Sequence, residues 1–155
     1  MKTTCQICGR EIKAKTGVIA HHGYTRPQRG SGWQTSSCFG ARWRPYEVAC
    51  DALPPAITRA SNILERTTAS IAKLRDDPPA TLTIIRKDAW GSTRQSTTVS
   101  RPEGFIGQER PGSYRPNSYE GEYWHTRSQL DFTEKNIQAD LKYMDKRLAD
   151  WRAPQ

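Results

Sequence analysis

Two stretches of the chain carry apolar residues at helical spacing. In the first, the steps between positions alternate between three and four residues, at Ile57, Ala60, Leu64, Thr67, Ile71 and Leu74. The second has the same rhythm at Ile137, Leu141, Met144, Leu148 and Trp151, with Leu130 one heptad earlier. This spacing puts the apolar side chains on one face of an α-helix and is typical of a coiled-coil seam. We therefore predict helices over about 55–76 and 125–151.

Proline marks the ends of the first helix. Leu53-Pro54-Pro55 precedes it, and Asp76-Asp77-Pro78-Pro79 stops it, because the residue before a proline is disfavoured in helical conformation. Two helices of similar length with one seam each most simply pack as an antiparallel hairpin. A homodimeric parallel coiled coil is the alternative, and both stay open from the sequence.

The segment 78–124 between the helices is too long for a simple connection. Residues 81–86 and 94–99 are rich in strand-forming residues, and a turn can connect them, so we predict an inserted β-hairpin with Trp90 near its tip. Glycine, proline and aromatic residues follow, the aromatic ones being Phe105, Tyr114, Tyr119, Tyr123 and Trp124. This aromatic loop is expected to be either packed on the helices or a flexible binding segment.

The first 52 residues have a different pattern, with few apolar residues between polar turns. Ile12, Val18 and Ile19 flank a Lys-Thr-Gly turn and predict a short hairpin that ends at two consecutive histidines. Ser36 and Ser37 are suited to cap a short helix starting near Cys38. Only 35% of the chain is hydrophobic and the mean hydropathy is −0.82, so we expect something besides apolar burial to stabilise this part.

Cysteine spacing points to a metal. Cys5-x-x-Cys8 followed by Gly9 is the sequence of a zinc knuckle, in which two thiolates on a tight turn bind one ion. No apolar run has the length of a signal peptide or membrane span, so we expect a cytoplasmic protein without membrane contact, whose cysteines bind metal instead of forming disulfides. Cys38 is the third expected ligand of a structural Zn²⁺.

The fourth ligand is open among His21, His22 and Cys50. Consecutive side chains at a strand end point in opposite directions, so only one of the two histidines should reach the ion. A knuckle, a hairpin and a ligand at a helix start is the order of a treble-clef finger. The predicted fold is thus a small α+β protein: a treble-clef-like zinc finger over 1–52, then a coiled-coil-like helical hairpin over 53–155 that carries the insertion 78–124.

Charge narrows the choice of partner. The chain carries +8 overall, of which +6 falls within residues 1–50, whereas 51–77 is balanced. A segregated positive charge favours a polyanion, most simply nucleic acid, although many small basic proteins bind none. The candidate contact residues are basic or aromatic side chains that can meet phosphates or stack on bases: Arg10, Lys13, Lys15, Tyr24, Arg26, Arg29, Trp33, Arg42, Arg44 and Trp90.

Several of these motifs together resemble small zinc-finger proteins, mostly uncharacterised, of bacteriophages and mobile elements. The matching residues are Cys5, Cys8, His22-Gly23-Tyr24, Arg26-Pro27, Ser37-Cys38, Gly40 and Pro45-Tyr46-Glu47. The resemblance covers residues 5 to about 53 and implies that His22, the histidine before Gly-Tyr, is the fourth ligand. It also implies a viral or mobile-element setting, but no established activity.

The leading functional prediction is a non-enzymatic zinc-binding protein whose basic N-terminal head binds nucleic acid. The first alternative is a phage-type inhibitor or adaptor that binds a host protein of the defence or transcription machinery, with Trp90 and the aromatic loop as its surface. The second is a metal-dependent nuclease, since the knuckle and the strand ending in His21-His22 resemble the start of an HNH motif. No histidine follows Cys38 nearby, and if His22 binds structural zinc no general base remains, so we predict no enzyme activity.

Overall fold

The computed structural model describes residues 3–26, 36–87, 94–107 and 117–153. Its elements in chain order are β1 (Ala14–Lys15), β2 (Val18–Ile19), α1 (Leu53–Asp76), β3 (Thr81–Lys87), β4 (Arg94–Ser100) and α2 (Tyr119–Asp150). Within these residues, β1 pairs with β2 and β3 with β4, as two antiparallel two-stranded sheets. The predicted small α+β class is confirmed.

The N-terminal hairpin forms where the sequence predicts it. Ala14 pairs with Ile19 and Lys15 with Val18, which leaves a two-residue turn. Thr16 and Gly17 both have positive φ, 52° and 82°, as a type I′ hairpin turn requires. The pairing holds Ile19, which is fully buried, in the core around the cysteines.

The second hairpin is also confirmed, with its register running from Thr81↔Ser100 to Lys87↔Arg94. Alternation along β3 puts Ile84 in a buried position and leaves the next residue, Ile85, 61% exposed. Trp90, expected near the tip of this hairpin, lies outside the described residues.

Both predicted helices exist, but α2 begins earlier than predicted. The Ser118 hydroxyl accepts a hydrogen bond from the Gly121 N–H (3.1 Å), which is an N-cap contact. Glu120 and Glu122 add negative charge to the first turn, where the helix dipole favours it. Tyr119 and Tyr123 of the predicted aromatic loop are therefore helical residues. In the part of the chain that is described, no helix is long and apolar enough to cross a membrane.

The chain forms two compact units. The first comprises residues 1–65 and 136–155, and the second 66–135. The predicted modules, 1–52 and 53–155, use a different boundary and stay a prediction, as does coiled-coil packing of the helices.

The core of the first unit combines the cysteines with the beginning of α1 and the end of α2. Its buried members are Cys5, Ile7, Cys8, Ile19, Cys38, Ala52, Leu53, Ala56 and Met144. The seam residues Ile57, Leu141 and Leu148 pack against this cluster. The beginning of α1 and the end of α2 therefore share one core with the N-terminal segment.

The second unit has an aromatic core. Leu74 is buried with Tyr119 and Tyr123, and residues of the β3–β4 hairpin pack on them. The Phe105 ring meets Tyr119 and Tyr123 edge to face, with centroids 5.1 and 5.0 Å apart. Tyr119 and Tyr123 are therefore buried and Phe105 is partly buried in this unit, and the role of the aromatic loop as a binding surface stays a prediction.

The helix expected to start near Cys38 does not form. Residues 39–42 are turns, and the next helix begins at Leu53. The Arg42 N–H donates to the Ile19 carbonyl (2.8 Å), and the Ile19 N–H donates to Trp43 (2.8 Å). This pairing with β2 draws the backbone away from a helical path. The treble-clef-like assignment accordingly stays a prediction.

Candidate metal centre

Four side chains with metal-binding atoms meet in the first unit. The sulfurs of Cys5, Cys8 and Cys38 and an imidazole nitrogen of His22 all lie within 4.8 Å of one another. Cys5 Sγ and Cys38 Sγ are 3.7 Å apart, and Cys8 Sγ is 3.4 Å from His22 Nε2. A tetrahedral zinc ion with ordinary bond lengths places two sulfurs roughly 3.8 Å apart and a sulfur and a nitrogen roughly 3.5 Å apart. The four residues therefore fit one tetrahedral ion.

The first two ligands come from a tight turn. The Gly9 N–H donates to the Cys5 carbonyl (3.0 Å), and the Cys5 N–H donates to the Arg10 carbonyl (2.9 Å). Gly9 has a φ of 70°, which lets the chain reverse here. An isolated bridge between Thr4 and Glu11 closes the base of the turn. The knuckle predicted from Cys-x-x-Cys-Gly is formed in this way.

The other two ligands are brought together by backbone pairing. The Cys38 N–H donates to the His22 carbonyl (2.9 Å), and the Tyr24 N–H donates to Ser36 (2.7 Å), around a bridge between Gly23 and Ser37. His22 and Cys38 thereby become neighbours across two short extended segments. Their meeting depends on this pairing and follows from no spacing rule in the sequence.

Hydrogen bonding fixes which histidine belongs to the cluster. His22 Nδ1 lies 2.9 Å from the Ala20 carbonyl, which can only accept, so Nδ1 carries the proton and Nε2 offers its lone pair to the cluster. His21 points elsewhere, with its Nε2 2.9 Å from the Ser37 hydroxyl at the surface. Cys50 packs beside the core but is not a member of the cluster.

The three sulfurs compete for protons when no cation is bound. Hydrogen bonds with Cys5 and then Cys8 raise the pKa of Cys38, whereas hydrogen bonds from Cys38 and then Cys5 lower the pKa of Cys8. Three buried thiolates cannot ionise together without a compensating positive charge. A divalent ion supplies that charge, and its binding should release protons from the cluster.

Arg10 supplies a fixed positive charge beside the site. Its backbone and its side chain also lower the pKa of Cys8, after the two cysteines named above. The guanidinium donates to the Gly23 carbonyl, and its buried Nε has no hydrogen-bond partner among the described residues. Three thiolates around a divalent ion leave one negative charge, which this guanidinium can balance. Arg10 therefore lies beside the candidate metal site, and its predicted contact with nucleic acid stays a prediction.

Gly40 leaves room for a ligand sulfur. A Cβ at this position would clash with Cys5 Sγ and would lie 3.1 Å from Ile7 Cγ1. Both neighbours are buried, so neither can move away easily. The small residue two positions after Cys38 is therefore a requirement of the site.

Gly40→Ala is expected to weaken zinc affinity about tenfold or more and to destabilise the protein by about 1–3 kcal/mol, because the added methyl displaces Cys5. Competition with a chromophoric chelator measures the affinity. Gly17→Ala is the matched control. Its Cβ meets no atom within 4 Å, so it should add backbone strain at positive φ but leave zinc affinity unchanged. Equal affinity in Gly40→Ala and the natural protein would contradict the assigned contact.

The end of α2 docks on the knuckle through Arg147. Its guanidinium donates to the carbonyls of Gln6 (3.0 Å) and Cys5 (3.4 Å) and lies 3.7 Å from the centroid of the Tyr46 ring. The Tyr46 hydroxyl in turn donates to the Arg147 carbonyl (2.6 Å). About 140 residues separate the partners in sequence, and no local pattern signals this contact.

Gln6 connects the knuckle to the start of α1. Its side chain is fully buried, with Oε1 accepting from the Ala52 N–H (2.7 Å) and Nε2 donating to the Arg44 carbonyl and to Asp51 (both 2.9 Å). A buried amide with all of these contacts is strongly held. Sequence reasoning missed Gln6 because the Cys-x-x-Cys motif specifies no residue type at this position.

Several predicted contact residues have structural partners. Arg26 forms an ion pair with Asp140 (3.1 Å), and Arg44 forms one with Asp51 (2.6 Å). Burial and then the charge of Asp140 raise the pKa of Tyr24.

The other predicted contact residues are either exposed or lie outside the described residues. Lys13 and Arg42 are exposed. Arg29, Trp33 and Trp90, and the side chain of Lys15, lie outside the described part of the chain.

Comparison with protein-family models, curated proteins and solved structures found no match to this chain. The resemblance to small phage and mobile-element zinc fingers therefore stays a prediction. The candidate metal site rests on the geometry of its four side chains.

Proposed function

We propose that the protein binds one structural zinc ion through Cys5, Cys8, His22 and Cys38, and that its basic N-terminal head then binds nucleic acid. The observation that carries the zinc assignment is the convergence of three buried thiols and an oriented imidazole at tetrahedral spacing. Soft sulfur ligands with one imidazole suit zinc better than magnesium or calcium, which prefer oxygen.

A closed ligand set supports a non-enzymatic role. Catalytic zinc sites keep one position open for water or substrate, whereas four protein ligands fill a tetrahedron. An HNH-like nuclease needs a histidine as general base. With His22 committed to the ion and His21 hydrogen-bonded at the surface to Ser37, the histidine pair offers no such base facing a metal.

Charge supports nucleic acid as the partner. Residues 1–50 carry a net +6, and Lys13 and Arg42 lie exposed on the segments around the metal centre. Arg26 is half-buried in its ion pair with Asp140, whereas Arg44 stays exposed beside Asp51 and is still accessible to a partner. The phage or mobile-element origin is proposed on the sequence resemblance alone.

Elemental analysis of the purified protein tests the zinc assignment, with one zinc per chain as the expected result. Cobalt substitution gives a second test, because tetrahedral cobalt with thiolate ligands absorbs in the visible and near ultraviolet. His22→Ala should alter this spectrum and His21→Ala should not. An unchanged spectrum in His22→Ala would contradict the ligand set.

Fluorescence anisotropy with labelled oligonucleotides of scrambled sequence tests the partner. The expected result is binding at low salt, with the logarithm of the affinity falling linearly as the logarithm of salt concentration rises. Lys13→Gln and Arg42→Gln should each reduce that slope by about one. Absence of binding at low salt, or binding independent of salt, would refute the nucleic-acid proposal and leave the zinc assignment intact.

A further inference from the structure

A small aromatic and cationic surface adjoins the metal centre. Phe39 follows the ligand Cys38 directly and is 36% exposed. The Trp43 ring lies 6.2 Å from the Phe39 ring, centroid to centroid, at an interplanar angle of 35°. The guanidinium carbon of Arg59, from the first turns of α1, lies 5.8 Å from the Phe39 centroid. With exposed Arg42, these residues form what we call the Phe39 platform.

The backbone of the platform is held firmly. The Arg42 N–H donates to the Ile19 carbonyl, and the Trp43 carbonyl accepts from the Ile19 N–H, each with an N···O distance of 2.8 Å. Arg42 has a φ of 68°, which is unusual for a residue other than glycine and persists only where the surroundings impose it. Cys38 and Gly40 anchor the other end of the turn beside the cluster. A surface held in this way loses little conformational freedom on binding.

The chemistry of the platform fits an unpaired base. A partly exposed aromatic ring beside guanidinium groups can stack on a base while the cations meet its phosphates. The bases of a duplex stack on one another, so their faces are not available to such a ring. We propose that the Phe39 platform stacks an unpaired base and that the protein prefers single-stranded nucleic acid. This inference rests on the proposed function.

The test compares a labelled oligothymidine with a duplex of equal length, using the full-length zinc-loaded protein. Phe39→Leu should weaken single-strand binding about tenfold, because one stacked base is lost, and should change duplex binding little. The salt slope should stay the same, because no charge is removed. Phe39→Trp should retain the affinity. Phe132→Leu, at another exposed phenylalanine in the second unit, is the matched control and should have no effect.

Zinc content and far-UV circular dichroism establish that each variant is folded. If Phe39→Leu does not fold, Arg59→Gln on the exposed face of α1 is used in its place. This variant is expected to lose several-fold in affinity for single strands. Unchanged single-strand affinity in the folded variants would overturn the platform while the protein's nucleic-acid binding stands. Equal binding of both forms by the natural protein would overturn the single-strand preference. Absence of all binding at low salt would refute the proposed function and the platform together.

Discussion

Cys8→Ser is expected to abolish tight zinc binding and to unfold the first compact unit, including the helix ends within it. Zinc binding to sites of this kind contributes about 10–16 kcal/mol, which is comparable to the whole stability of a small domain. Three of the buried members of this unit's core are the cysteines of the candidate site, and many of its large apolar residues are only partly buried. Without the ion, this incomplete apolar burial alone must offset the entropy of the ordered chain.

Hydrogen exchange after chelation with EDTA locates the loss. A separate N-terminal module predicts that residues 1–50 unfold and that the helical signal largely stays. The contacts of Arg147 with the knuckle and of Gln6 with Ala52 predict that protection is also lost at the beginning of α1 and the end of α2. Cys50→Ser is the control, since Cys50 lies outside the ligand cluster, and it should keep zinc and protection. Full protection of both helix ends after chelation would contradict the shared core.

Arg147→Met is expected to destabilise the zinc-loaded protein by about 2–3 kcal/mol. Methionine keeps much of the length of the side chain but leaves the Gln6 carbonyl without its charged donor and removes the cation–π contact with Tyr46. Urea denaturation of the zinc-loaded protein measures the change in the free energy of unfolding.

Arg152→Met is the matched control for this substitution. Arg152 is exposed and, among the described residues, donates to the nearby carbonyls of Ala149 and Trp151. Its replacement should change stability by less than about 0.5 kcal/mol. Equal effects of the two substitutions would show that Arg147 does not hold the helix end on the knuckle.

The helices and hairpins were predictable because each is specified by residues that lie close together in sequence. Apolar positions three and four apart specify one face of a helix, and α1 buries that face at Thr67, Ile71 and Leu74. The same holds for the hairpins, whose turn and strand residues lie next to each other in sequence. The start of α2 was missed because glycine and aromatic residues suggested a loop, while a single capping serine, Ser118, suffices to begin the helix there.

The sequence by itself determined the kinds of metal-binding side chain available and the two that lie on one turn, since Cys5 and Cys8 converge within a local turn that Gly9 and Arg10 complete. Residue spacing left the fourth ligand open among His21, His22 and Cys50, and only the resemblance to small zinc-finger proteins favoured His22. Only the tertiary structure decided for His22, because backbone pairing with the segment around Cys38 turns that imidazole inward.

The tertiary structure also decided which charged side chains pair with one another inside the protein. Arg26 and Asp140 are 114 residues apart in sequence, yet they form an ion pair, so the net charge of a segment overstates what a partner can meet. Arg147 joins the knuckle from the far end of the chain. Such contacts depend on which surfaces the folded backbone brings together, and no periodic pattern along the sequence carries that information.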